Sequence, residues 1–326
     1  VGFYFYADNY LTEKKIIDKE LIISIPPGSS LNKCVDILNN DGLFKPNWFF
    51  KIYIRFYSKL NHVQIIAGIY RFSSEMDNRM ILNSLFSGKN LYLVKVTYPE
   101  GITLMKFAEI TENHFNISSK GFLDYVNSPE ILQKYGINAT TAEGYLMPDT
   151  YTFQRDASIE AIAEKLLHEQ QKIWVKYFKS ESGRSKFTKH EILTLASIIE
   201  AETPVSEERP RVSGVYQNRL KKNMLLQADP TVAYIFQDKK NLTYSDLKTV
   251  NRYNTYIFHG LPPGPINSPS LSSIKAAMEP EEHNYLYFVA IGDSSRRHKF
   301  SENYRQHLLY VLEYRKNLRK KNKVIP

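Results

Sequence analysis

Apolar and polar positions follow two different periods along the first third of the chain. Leu21-Ile22-Ile23-Ser24-Ile25 is a short apolar run stopped by Pro26-Pro27-Gly28, and it predicts a strand. Ser29 or Ser30 then stands as the N-cap of a helix carrying Leu31, Val35 and Leu38 on one face, ended by Asp41-Gly42. The pattern goes on to predict a helix over 46–60, a strand over 65–72, a helix over 76–86 closed by Gly88, and a strand over 91–97. After Pro99-Glu100-Gly101 the period becomes mainly helical, with helices predicted near 102–113, 119–126, 157–179, 188–202, 205–221, 229–237 and 271–279. Tyr285 to Ala290 reads as a strand, Gly292-Asp293-Ser294 as a turn, and His298-Lys299-Phe300 as the hairpin partner. Ser301 is the expected cap of a last helix. Turn-rich stretches at 138–150 and 248–270 separate these pieces, and loops of that length in a compact domain are commonly functional. The fold class expected is α+β: a small α/β unit, then a larger, mainly helical one with a small β element.

Composition narrows the classes. A chain of 326 residues corresponds to about two domains. With 43% hydrophobic residues, 23 Tyr and 18 Phe, it has the apolar material to offset ordering entropy, which excludes a disordered chain. No run approaches the ~18–20 apolar residues of a membrane-spanning helix. A single cysteine, Cys34, excludes an internal disulfide framework and any multi-cysteine metal site. The eight His lack ligand spacing, and His190-Glu191 begins like a zinc-binding HExxH but meets Thr194 where the second His would stand. No phosphate-binding glycine motif and no GxSxG occurs, so neither metal nor cofactor is expected.

The net charge of +9 suits an acidic partner: nucleic acid, an anionic membrane surface or an anionic polymer. Part of it is local, since Arg315 to Lys323 holds six positive charges and no negative one. That stretch reads as a solvated terminus or as a nucleic-acid contact, although it lacks the interleaved aromatics of a single-strand platform. Val1 to Ala7 is apolar and aromatic, and reads as the outer end of a membrane span, a short strand or a signal-peptide remnant.

The most informative helix runs from Thr188 to Glu202. At about 100° per residue from Ile192, the residues Leu195, Ile199, Ala196 and Leu193 form one apolar arc. Glu200 falls near 80°, inside that arc, while Glu191 and Glu202 fall at its margin near 260–280°. A carboxylate on an apolar arc is costly unless paired or protonated. Two readings follow: a buried Glu paired to an arginine such as Arg209, Arg211 or Arg219, or a carboxylic acid tuned by desolvation to donate a proton near neutral pH.

Three further stretches combine polar side chains with special backbone: Glu143 to Tyr151, Leu226 to Thr231, and Tyr253 to Ile266. Asp229 looks like a helix N-cap with Pro230 at the first helical position. Turn chemistry explains each stretch. So does a groove wall, in which Tyr rings stack on sugar faces and Asn, Gln and Asp bond hydroxyl and acetamido groups.

Taken in order, nine segments resemble one family, the membrane-anchored endolytic murein transglycosylases of the YceG-like type. The segments are Ile25-Pro26-Pro27-Gly28-Ser29-Ser30, Ala67-Gly68-Ile69-Tyr70, Val96 to Gly101, Glu143 to Tyr151, Leu195 to Thr203, Gln217-Asn218-Arg219-Leu220, Leu226 to Val232, Tyr253-Asn254-Thr255-Tyr256 and Gly260 to Ile266. They span about residues 20–292, and the basic tail lies outside them. Ala201, Met147 and Pro204 depart from the family's usual residues, and none of them is the carboxylate.

The resemblance implies residues 1–20 as the end of a membrane anchor and linker, a LysM-like subdomain over 21–97, a YceG-like catalytic domain over 98–312 and a basic tail over 313–326. It implies a single-pass protein of the bacterial inner membrane, acting on the cell-wall side on peptidoglycan glycan strands. The implied reaction cleaves the β-1,4 bond between N-acetylmuramic acid and N-acetylglucosamine and leaves a 1,6-anhydro end, with Glu200 as general acid and then base. Glu143, Asn218, Gln227, Asp229, Tyr253, Asn254 and Tyr256 are the implied groove residues, with Glu143 as a second carboxylate. Cell-wall synthesis proteins enter as partners through the family alone, and nucleic acid is not expected. A non-catalytic, LysM-type murein-binding scaffold is the alternative.

Overall fold

The chain runs β1 (Leu21–Ile25), α1 (Leu31–Asn40), α2 (Trp48–Asn61), β2 (Gly68–Phe72), α3 (Asn78–Ser87) and β3 (Leu93–Thr97) through its first third. It continues with α4 (Leu104–His114), α5 (Ser119–Val126), α6 (Pro129–Lys134), β4 (Thr150–Gln154), α7 (Ile159–Phe178), α8 (Lys189–Glu202), α9 (Arg209–Lys221) and α10 (Asp229–Ile235). α11 (Leu271–Met278), β5 (Tyr287–Ala290), β6 (His298–Ser301) and α12 (Tyr304–Val324) complete an α+β architecture. The computed structural model describes all residues except 1–5, 7–8, 14–19, 42, 44–47, 74, 179–185, 238–240 and 325–326, and the side chains of 48–50, 178 and 321–324. The apolar start Val1–Ala7, Tyr6 apart, therefore lies outside the described residues, as do Gly42, Pro46 and the side chains at the end of the basic tail. Among the described residues no helix is long and apolar enough to cross a membrane.

Two units are distinguished: residues 1–96 with 114–116 and 151–157, and residues 97–113 with 117–150 and 158–326. In the first, β1 and β2 pair antiparallel with Ile23 opposite Tyr70. The alternation of β1 buries Ile23 and Ile25 and exposes Ile22 and Ser24. Tyr70 and Phe72 stack at 5.7 Å in a core completed by Val35, Leu38, Leu82 and Leu85. Ser30 caps α1 by accepting from the Lys33 N–H, and Gly88 closes α3 in the left-handed region at φ +73°.

The predicted strand over 65–72 begins only at Gly68. Its φ is +142°, and a Cβ there would stand 2.7 Å from the Leu91 side chain. β3 likewise starts at Leu93 rather than 91, leaving Leu91 as an isolated bridge to Tyr70. β3 pairs with β4, a strand the hydrophobic pattern did not predict.

In the second unit α8 is the central element. Ile192 through Ile199 are all buried, Thr194 and Ser197 included, so the single apolar arc of the wheel is an incomplete description of a helix enclosed on every side. It packs against α9, α10 and α11. Thr194 and Ser197 satisfy their hydroxyls on the carbonyls of His190 and Thr194, both at 2.7 Å.

Three local expectations are corrected. The helix over 205–221 is a short 3-10 turn, Ser206–Glu208, followed by α9 with Pro210 in its first turn. Ala228, not Asp229, is the N-cap of α10, and Asp229 is its first helical residue. Ser301 belongs to β6, and Asn303 caps α12 by accepting from the Gln306 N–H at 3.0 Å. α6, held by the Ser128 cap and Pro129, was not predicted.

Candidate active site

The start of α8 is fixed by a reciprocal cap. Thr188 accepts from the Glu191 N–H, and Glu191 accepts from the Thr188 N–H at 2.8 Å. Glu191 is therefore a capping residue. His190 bridges Tyr145 and Pro263: its Nε2 lies 2.7 Å from the Pro263 carbonyl, which only accepts, so Nε2 carries the proton and Nδ1 accepts from the Tyr145 hydroxyl at 2.9 Å. Deeper along α8, the Ser197 hydroxyl accepts from the Ile266 N–H, and the Asn267 side chain donates to the Ser197 carbonyl. The Gly-Pro-rich segment is thereby pinned along the helix. Its close approach to Gly144 explains that glycine: φ is +79°, and a Cβ would lie 2.4 Å from Cβ of Pro265.

Past Pro265 the pinned segment delivers Ser270 to the last turn of α8, where Glu200 lies. Glu200 Oε1 accepts from Arg209 Nη2 at 2.9 Å. Oε2 accepts from the Ser270 backbone N–H at 2.9 Å and from its hydroxyl at 2.5 Å. Ser270 is the N-cap of α11, so the carboxylate sits at the positive end of that helix. Arg209 also donates to the hydroxyls of Ser270 and Ser272. Of the arginines the sequence offered, Arg209 is the partner; Arg211 pairs with Glu281, and Arg219 donates to the carbonyls of Leu286 and Leu226. The Glu200 and Arg209 side chains are each 7% exposed, so the paired reading of the helix wheel is realised here. Among the described residues, Arg209 Nε is buried without a hydrogen-bond partner.

Glu100 is a neighbour of the site that the sequence did not single out as a candidate site residue. It is exposed at the turn before Gly101, whose added Cβ would stand 3.4 Å from Cγ of Glu200. Partial burial raises its carboxyl above the usual range, the negative Glu200 raises it further, Arg209 opposes, and Asp149 adds. Its signal is the Pro99-Glu100-Gly101 break, which lies within the Val96–Gly101 segment of the family resemblance.

Glu202 points away from Glu200, about 200° around the helix. Burial pushes its carboxyl up to about 7; the Tyr216 hydroxyl, donating at 2.8 Å, opposes that, Asp229 adds to it, and Arg219 opposes. Tyr256 donates to Asp229 at 2.5 Å and also feels the Glu202 charge. Asp229 and Tyr256 therefore gather with Glu202. Gln227, exposed at φ +48°, is tied to the same place by its N–H to the Thr255 carbonyl.

Of the other expected groove residues, Glu143 and Tyr253 meet at Tyr234, and Asn254 and Asn218 turn to backbone carbonyls. Glu143 is buried and accepts from the Leu104 N–H at 2.9 and 3.1 Å, capping α4, with the Tyr234 hydroxyl at 3.4 Å. Tyr253 lies on Tyr234, ring centres 5.0 Å apart, and is half-buried. Asn254 is buried and donates to the carbonyls of Leu247 and Thr249, shaping the turn. Asn218 donates to the carbonyls of His283 and Tyr285, on the wall of a polar cavity of about 600 Å³ shared with Gln217 and Lys221. The side chains of Glu143, Asn218 and Asn254 each meet backbone groups that would otherwise be unsatisfied. Among the described residues no group of three or more His, Cys, Asp or Glu is placed to hold a metal ion.

Residues 23–313 match the YceG-like family. The chain is 33% identical over 306 residues to the endolytic murein transglycosylase of Bacillus subtilis strain 168, covering 89% of this chain and 84% of that protein. It is 28% identical over 321 residues to the endolytic murein transglycosylase of Streptococcus pneumoniae serotype 2, of which it spans 57%. A crystal structure of a YceG-like protein from Listeria monocytogenes superposes with a TM-score of 0.61 at 32% identity, covering 91% of this chain and 99% of that one.

Proposed function

The chain belongs to the YceG-like family, and from that premise we propose that it is an endolytic murein transglycosylase, cutting glycan strands of peptidoglycan internally on the cell-wall side of the membrane. The observation that carries the reading is the match over residues 23–313 together with relatives of that name. The β1-α1-α2-β2 order with an antiparallel β1–β2 pair supports a LysM-like subdomain at the start of the chain.

The finer proposal places Glu200 at the reacting atoms. When the glycan displaces Arg209 from Oε1, Glu200 takes up a proton there; it then donates that proton to the glycosidic oxygen, and the bond from that oxygen to C1 of the muramic sugar breaks. The carboxylate then takes the proton of the muramic 6-hydroxyl, whose oxygen bonds to C1 and closes the anhydro ring. No water is consumed, and one carboxyl serves both steps, so a second catalytic carboxylate is not required. Intramolecular attack supplies much of the barrier reduction. The glycosidic oxygen takes over the side of the carboxyl now held by Arg209, while the Ser270 N–H and hydroxyl keep the other oxygen in place. Gln227, Asp229, Tyr253 and Tyr256, exposed or half-buried, are the proposed contacts for sugars further along the strand, since Gln227, Asp229 and Tyr256 gather on the Glu202 side of α8. A membrane anchor preceding the chain belongs to this proposal through the family resemblance.

A second reading draws on the same ion pair: Glu200 and Arg209 as a buried structural link in a scaffold that holds murein without cutting it. Mass spectrometry of purified glycan strands after incubation with the chain separates the two. Transglycosylase action gives fragments with 1,6-anhydro ends whose masses sum to the parent; intact strands support the scaffold, and reducing ends that have gained water would overturn the non-hydrolytic mechanism.

A further inference from the structure

α12 turns one face to the β5–β6 hairpin and leaves the other, among the described residues, without a protein partner. His307 stacks on Tyr287 at 5.3 Å, Asn317 donates to the Ile291 carbonyl at 2.8 Å, and Tyr314 packs where a Cβ on Gly292 would stand 2.8 Å away. At about 100° per residue these three residues lie within one narrow arc. On the opposite side, an arc of roughly 140° carries Leu308, Leu309 and Leu312 together with Arg305, Arg315, Lys316, Arg319 and Lys320. The leucines are 45%, 58% and 61% exposed, and all five basic residues are exposed. The one acid of the helix, Glu313, sits at the margin of the arc and is tied to Lys299. Leu312, Arg315, Lys316, Arg319 and Lys320 line a recess of about 290 Å³. Exposed leucines interleaved with cations, with no carboxylate among them, are the chemistry of a helix lying in the plane of an anionic bilayer: leucines reach past the headgroups and the cations meet phosphates.

We propose that the outer face of α12 docks on the surface of a membrane containing anionic phospholipid. The proposal is independent of the transglycosylase reading, since none of these residues takes part in that chemistry. The test is co-sedimentation of the 326-residue chain with phosphatidylcholine vesicles, with and without about a third phosphatidylglycerol. Wild type partitions onto the anionic vesicles and only weakly onto neutral ones, and added salt releases it. Reversing Arg315, Lys316, Arg319 and Lys320 to Glu lowers partitioning by at least about 600-fold, because each cation near such a surface is worth roughly five-fold. Leu309→Ser with Leu312→Ser lowers it roughly ten-fold at unchanged charge. All six positions are exposed, so unchanged thermal midpoints and unchanged activity on glycan strands are expected. Vesicle binding that is absent in wild type, or equal in wild type and both variants, overturns the proposal. Charge-dependent binding to duplex DNA without binding to vesicles overturns it in favour of a nucleic-acid contact.

Discussion

Replacing Glu202 by Gln gives the sharpest thermodynamic signature available in the second unit. Burial raises the Glu202 carboxyl from 4.5 to about 7. Below pH 4.5 the group is protonated in both folded and unfolded chains and its contribution is level. Between pH 4.5 and about 7 the unfolded chain releases its proton first, so the folded state holds one proton more and stability falls as pH rises. Above about pH 7 the loss is complete. At ~1.4 kcal/mol per pH unit the full displacement corresponds to about 3 kcal/mol, and because Glu202 as a residue is half-buried this falls to about 1–3 kcal/mol. Glutamine stays neutral throughout, and its carbonyl can keep the Tyr216 hydroxyl bond. Urea unfolding of wild type and Glu202→Gln at about pH 4.5 and pH 8.5 measures the difference directly. The variant gains stability over wild type on going to the higher pH, by about 1–3 kcal/mol. A gap between the two proteins that is the same at both pH values would refute the buried, proton-holding carboxyl.

Three other outcomes follow from the geometry around α8. Gly144→Ala brings a Cβ against Pro265 at a left-handed φ and should cost about 2–5 kcal/mol, read as a lowered urea midpoint. Arg209→Ala leaves Glu200 buried without its guanidinium and should cost about 3–5 kcal/mol in the same assay, with Arg209→Lys losing less; equal stability of Arg209→Ala and wild type would contradict the ion pair. In Glu200→Gln the Glu100 carboxyl, raised in wild type partly by the Glu200 charge, should titrate at lower pH, followed by NMR of labelled glutamate side chains; an unmoved Glu100 would mean the two carboxyls are not neighbours.

Short-range signals carried the first unit. The alternation of Leu21 to Ile25, the serine cap at Ser30 and the glycine stop at Gly88 are local, and each is where the sequence placed it. β4 was not legible, because Thr150 to Gln154 follows a Pro-Asp turn and its strand character depends on pairing with β3. The α8 wheel singled out Glu200 as misplaced and offered Arg209 as one of three arginine partners, but it could not choose among them and gave no sign of Ser270. Arg209 lies one helix further on, and Ser270 is 70 residues away, brought there by the Gly144–Pro265 approach and the Ser197–Ile266 bond. The same distance problem hid the backbone contacts of Glu143, which caps a helix 39 residues back, and of Asn218, whose acceptors lie 65 and 67 residues ahead. Residue type marks a side chain as polar and special, and only the fold decides whether it turns to backbone or to substrate.

The central claim is that Glu200 moves the proton at the scissile bond, and the Glu200→Gln variant addresses it most directly. Glutamine keeps the shape and an acceptor for the Ser270 N–H but has no acidic proton. With a cooperative thermal transition retained, the account predicts that anhydro-ended fragments fall by at least 10²–10⁴-fold in mass spectrometry of digested glycan strands, the usual worth of a general acid–base. Anhydro ends formed by the folded variant at the wild-type rate would contradict it and return Glu200 to the role of a buried partner for Arg209.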